Sequence, residues 1–308
     1  MTEMLAATAS VHPALRVLLQ GIVDYAGLFP PASRGMAAAA SEYAEHRGGV
    51  DAWALGRFVL PAARLDEFED AAAATLPREG AKSWALSALL GSDLEEDIAR
   101  IEHFNLRHGD ARAGAVIVDT VELKTHSPRD VARASELLDR RFDTYMELPA
   151  EMAPDEIVDA ISRTTAKAKI RTGGVTADAF PSAEQVVRFA GCCIRQGVAF
   201  KATAGLHHPW RAEYPLTYAP DAPRGVMFGF LNLLLAVALL RAGLGEQHAI
   251  AALEDRDSSS LRFGADGLHW RGQALPVSVL EQARDTLVAF GSCSFRDPVG
   301  DLRALHLL

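Results

Sequence analysis

The sequence predicts a single α/β domain over residues 1–308, a (β/α)8 TIM barrel with an N-terminal helix and a C-terminal extension. Three observations lead there. Short apolar runs of strand-like composition alternate with amphipathic segments of helical period. The alternation runs through the chain without a linker or a break in composition. No Gly-rich dinucleotide fingerprint follows any apolar run, which argues against an open doubly wound sheet. A length of 308 residues fits a barrel carrying an insertion.

Taken in order, a first helix ends near Gln20, and Gly21 to Tyr25 reads as strand one, followed by the loop Gly27 to Ser33 and a helix from Met36 to His46. Gly56 to Pro61 is strand two, with its helix from Leu65 to Thr75. Trp84 to Leu90 is strand three, and an acidic start opens the helix Asp93 to His108. Ala113 to Glu122 is strand four. Ser127 and Pro128 then supply an N-cap and a first helical residue. Asp143 to Leu148 is strand five, with a helix from Pro154. Ala168 to Gly174 is strand six, and Ser182 caps the helix that ends at Gly197. Val198 to Gly205 is strand seven, followed by an apolar helix from Gly225 to Leu244. The eighth strand is expected between Leu261 and Leu275, a last helix from Val277 to Phe290, and a tail from Gly291.

Composition limits the function classes. The net charge of −9, with no basic run, disfavours nucleic acid and anionic membranes as partners. The apolar stretch Val226 to Leu240 is short for a membrane span and contains Asn232. It is expected in the barrel shell or in a subunit interface of a homo-oligomer. Met1 to Met4 lacks a basic secretory start, and Cys192, Cys193 and Cys293 fit neither a disulfide framework nor a zinc motif. These features predict a cytoplasmic protein with reduced thiols.

Barrel enzymes carry their chemistry at the carboxyl ends of the strands. Strand alternation puts Lys169 and Arg171 on one face of strand six and Ala168, Ile170 and Thr172 on the other, and Asp24, Glu122, Arg171, Thr172, Thr203, His207 and His208 are the candidates for substrate binding. Lys201 and Thr203 share a face of strand seven, and Tyr145 and Glu147 one of strand five. The opposite faces are apolar and suit the helix layer, so the charged faces are expected in the barrel mouth. A lysine crowded by a second lysine and an arginine should have its pKa lowered, which favours attack on a carbonyl and a Schiff base. Lys169 is then the nucleophile and Lys201 the neighbour. Asp119, Glu122 or Glu147 carries the proton. The three cations favour a small anionic substrate.

The same residues resemble those of a known family. Lys169-Ile170-Arg171-Thr172-Gly173 resembles the Lys-Thr-Ser-Thr-Gly strand of deoxyribose-phosphate aldolases, and Phe200-Lys201-Ala202-Thr203-Ala204-Gly205 their Phe-Lys-Pro-Ala-Gly-Gly strand. Val118-Asp119-Thr120-Val121 is similar to their Val-Asp-Val-Val segment, and Arg262-Phe263-Gly264-Ala265 to a late Arg-Phe-Gly-Ala segment. The short matches fall in the family's order over about half the chain. The resemblance implies a cofactor-independent class I aldolase, a lyase, with Lys169 forming the Schiff base, Lys201 lowering its pKa and Asp119 relaying the proton. The chain departs from the family where Leu206-His207-His208-Pro209 follows Gly205 and where Asp266 would repel a phosphate.

Two other readings stand beside it. Asp24, Glu147, His207 and His208 are a candidate divalent-metal set for a lyase or hydrolase, although no His-x-His occurs on the late strand. One histidine also suits substrate binding or proton transfer. A third reading is a barrel without catalysis that binds or assembles through its apolar Val226 to Leu240 segment.

Overall fold

In the computed structural model, residues 11–77, 82–108, 115–264 and 266–308 are described. The readings at Met1 to Met4, at Ala113 and Gly114, and at Ala265 lie outside them. Eight parallel strands form a closed barrel in which the last strand of the chain pairs with the first and with the seventh. Helix α1 (Pro13–Leu19) precedes β1 (Val23–Tyr25). Then follow α2 (Met36–Gly48), β2 (Leu55–Pro61), α3 (Leu65–Ala72), β3 (Trp84–Leu89) and α4 (Leu94–His108). The next units are β4 (Val116–Lys124), α5 (Pro128–Leu138), β5 (Asp143–Leu148), α6 (Asp155–Ser162), β6 (Lys167–Arg171) and α7 (Ala183–Gln196).

Local chemistry explains the helix starts. Ser127 Oγ accepts from the Asp130 N–H at the head of α5, with Pro128 at the first position. Ser182 and Gln185 form a reciprocal capping box on α7, which ends on Gly197 in the left-handed region at φ 68°.

After β7 (Phe200–Thr203) the chain is elaborated. An antiparallel ribbon, β8 (Ala212–Pro215) and β9 (Arg224–Met227), leads into α8 (Phe230–Arg241) and α9 (Glu246–Glu254). A three-stranded antiparallel sheet follows, formed by β10 (Leu261–Gly264), β11 (Gly267–Trp270) and β12 (Gln273–Pro276). Helix α10 (Val277–Thr286), the last barrel strand β13 (Leu287–Ser292) and α11 (Arg296–Ala304) complete the chain.

Two expectations are corrected here. The eighth barrel strand is β13, not a segment between Leu261 and Leu275. The latter residues form the separate three-stranded sheet, reversing where Gly267 and Gly272 take positive φ. Leu287-Val288-Ala289-Phe290 follows α10 with no Gly or Pro between, so its apolar run continues the helical pattern. Only pairing with β1 and β7 makes it a strand. The supposed tail from Gly291 is therefore the carboxyl end of a barrel strand. The helix expected from Gly225 to Leu244 is likewise shorter, because Arg224–Met227 is ribbon.

Helix α8 is buried from Phe230 to Leu239 within this one chain, as an all-round apolar helix must be. Its Asn232 is satisfied: Oδ1 accepts from the Arg211 N–H, and Nδ2 donates to the carbonyls of Ala252 and Asp255. No helix among the described residues is long and apolar enough to cross a membrane.

Candidate active site at the carboxyl end of the barrel

Register decides what meets in the mouth. Glu147 on β5, Lys169 on β6 and Lys201 on β7 are direct partners across adjacent strands, so the three side chains share one height. Glu122 on β4 bridges the two lysines: Oε2 lies 2.7 Å from Lys169 Nζ and Oε1 2.7 Å from Lys201 Nζ. Lys169 Nζ also lies 2.7 Å from Glu147 Oε2. Ser87 on β3 donates its hydroxyl to Glu122 Oε1 at 2.6 Å. On β1, Asp24 Oδ2 accepts from Lys201 Nζ, and Oδ1 accepts from the Arg57 N–H at 2.7 Å. A Cβ at Gly56 would lie 2.3 Å from Asp24 Oδ1, so this position needs glycine for the carboxylate to sit there.

The five groups, two ammoniums and three carboxylates, are all buried, and Lys201 is wholly enclosed. Burial alone would push Glu122 up, but the Lys169 and Lys201 ammoniums outweigh it and hold this carboxyl well below the usual range. Burial would likewise push Lys201 down; Asp24 and Glu122 reverse this and hold it above the usual lysine range. Lys201 is thus a fixed cation, and the charge it presents beside Lys169 is balanced by the protein's own carboxylates. The sequence leaves open whether carboxylates or an anionic substrate balance the cations; for the two lysines, Asp24, Glu122 and Glu147 do so.

A cavity of about 230 Å3 opens above the network. Phe29, Pro30, Pro31 and Val59 form an apolar wall, while Lys169, Lys201 and Glu122 reach its floor. Arg171 and Thr203 line it from the strand ends. Arg171 is exposed and has no ion-pair partner among the described residues. Thr172 lies at the end of the same strand but is buried, and its hydroxyl donates to the Thr203 and Ala204 carbonyls, tying β6 to β7. Ala204 and Gly205 both take positive φ, 65° and 74°, and the turn carries His207 to the cavity.

His207 is buried, with Nδ1 3.2 Å from Ser292 Oγ and 3.6 Å from Cys293 Sγ. Burial lowers its pKa to about 4, so the imidazole is neutral at neutral pH. Cys293 also lines the cavity, and burial pushes its thiol up. His208 does not join the lysines: its Nδ1 lies 2.6 Å from Asp301 Oδ2, and its ring stacks on Tyr214.

Asp119 is placed elsewhere. Pairing of β3 with β4 skips this residue, Leu86 facing Val118 and Ser87 facing Thr120. That bulge shifts the alternation, so Asp119 and Glu122 both turn into the barrel despite opposite parity. Asp119 holds Arg57 through Nε at 2.7 Å and Nη2 at 2.9 Å, at the amino end of the strands near the Lys167–Asp143 pair. It does not reach Lys169, and the carboxylates beside the lysines are Asp24, Glu122 and Glu147. Asp24, Glu147, His207 and His208 are not gathered around one point, and no cluster among the described residues is arranged to hold a metal. The sequence reading missed Ser292 and Cys293 because β13 was read as helix and tail. It missed Ser87 because a lone serine in an apolar strand carries no signal.

No family model and no curated protein matches the chain. Among solved structures it is similar to the Bacillus cereus spore cortex-lytic enzyme SleL, with 11% sequence identity and a TM-score of 0.38, over 94% of this chain and 74% of that chain.

Proposed function

We propose that this barrel is a small-molecule enzyme that forms an imine with a carbonyl substrate through Lys169, as a lyase of the class I aldolase type. The observation that carries this reading is the placement of one lysine amine between Glu122 and Glu147 on the cavity floor, with a second, fully enclosed lysine behind it. Lys169 passes a proton to Glu147 and attacks the carbonyl carbon, giving a carbinolamine. Glu147 returns the proton to the departing hydroxyl, so that ammonium and carbonyl become iminium and water. Lys201 stays charged and stabilises the anionic oxygen that develops during attack. Arg171, unpaired at the mouth, anchors a substrate carboxylate, which makes a small oxo acid the favoured substrate. The reaction requires no cofactor.

Borohydride reduction in the presence of short aldehydes and 2-oxo acids, followed by peptide mass mapping, tests this. A reduced adduct on Lys169, absent from Lys201 and abolished in Lys169→Arg, is the expected result. No adduct anywhere, or an equal yield in Lys169→Arg, rejects the reading.

A further inference from the structure

Lys169 has a second side. A separate cavity of about 480 Å3 lies toward β3, β4 and β5, and it shares only Leu89, Glu122 and Lys169 with the first. The acid–base groups divide between the two: Lys201 reaches the first alone, Glu147 the second alone. Leucines 90, 94 and 123 line the second cavity, and Lys124 and Arg133 line it too. Lys124 has no ion-pair partner among the described residues, and Arg133 meets only Glu95, at 3.9 Å. The neighbouring Asp130 is engaged by the backbone N–H of His126 at 2.8 Å. An apolar lining with two under-used cations suits a short chain ending in a carboxylate.

We propose that Lys169 works between two substrate subsites. The cavity below Arg171 holds the carbonyl compound that becomes the imine, and the cavity below Arg133 holds a second, carboxylate-bearing aldehyde joined to it or released from it. This rests on the imine reading above. In the cleavage direction, Glu147 takes the proton of the β-hydroxyl group on the second fragment. The O–H electron pair becomes the aldehyde C=O, the carbon–carbon bond breaks, and its pair moves through the iminium to nitrogen, leaving an enamine. Glu147 returns the proton to the enamine carbon, and water hydrolyses the iminium to free Lys169 and the ketone. The water consumed equals the water released when the imine formed.

The test uses pyruvate and succinate as probes. Pyruvate is first fixed to Lys169 by borohydride, which fills the first cavity. Succinate is then titrated into the adduct, prepared with 13C-labelled leucine methyl groups. The expected result is saturable shifts at Leu94 and Leu123, with affinity falling about fivefold in Lys124→Ala and in Arg133→Ala. Both side chains are exposed, so the variants keep the fold. If pyruvate forms no adduct at Lys169, the imine reading fails and this proposal falls with it. If the adduct forms but succinate leaves Leu94 and Leu123 unshifted, or binds the two variants as tightly as wild type, the second subsite alone is rejected.

Discussion

Replacing Lys201 with Met probes the buried network most directly. The side chain is wholly enclosed, and methionine keeps most of the apolar stem while deleting the ammonium. Glu122 would retain Lys169 and Ser87, whereas Asp24 would lose its ion pair with Lys201, its only one among the described residues, and keep the Arg57 N–H. Removing one member of a buried pair costs about 3–5 kcal/mol. With Glu122 still partnered, about 3 kcal/mol is expected, a large share of a total of about 5–15 kcal/mol. The assay is urea unfolding followed by circular dichroism from acid to alkaline pH.

The sign of the pH dependence follows from the two groups. Glu122 is depressed, so its contribution is present above the ordinary 4.5 and is lost as the pH falls below it. Lys201 is raised, so its contribution is complete below the ordinary 10.5 and is lost only as the pH rises beyond it. The gap between wild type and Lys201→Met should therefore stay level near neutrality and narrow at both ends, at strongly acid pH as Glu122 takes up its proton and at strongly alkaline pH as Lys201 loses its own. Adding Asp24→Asn should recover about half of the loss, because the uncharged amide oxygen can still accept from Arg57. A cost under about 1 kcal/mol, or a double variant that loses the sum of the two singles, would refute the bridged network.

Three further outcomes are expected. Arg171→Ala should leave unfolding within about 0.5 kcal/mol of wild type while slowing borohydride trapping of 2-oxo acids roughly tenfold, with uncharged aldehydes unaffected. His207, facing His208 and Asp297, should stay neutral in 15N spectra until the pH falls to about 4, and a midpoint near 6.5 would contradict its enclosure. Its contribution to stability is full above the ordinary 6.5 and is lost as the pH falls from there toward 4. Asp119→Asn should cost about 1 kcal/mol in urea unfolding through the loss of its ion pair with Arg57, yet leave trapping at Lys169 unchanged.

The alternation of apolar strands with capped helices was legible in the sequence because it is local: Ser127 with Pro128 and Ser182 with Gln185 mark helix starts wherever the chain goes. Strand parity was enough to pick Lys169, Glu147 and Lys201 as one set, since parallel strands of similar length bring equal positions to one height. The family resemblance chose Asp119 as the proton relay, and nothing local in the sequence reveals the bulge that, through pairing with β3, adds a residue to β4. Parity was silent on Leu287 to Ser292, whose apolar run fits a helix equally well until β1 and β7 flank it. Only the closed barrel decided that Glu122 would bridge both lysines and that Asp24, distant in sequence, would hold Lys201. Charge balance inside a protein depends on three-dimensional distance, which composition along a strand does not encode. For that reason the sequence marked the cations, while the tertiary structure determined which of them is locked and which lies between two cavities.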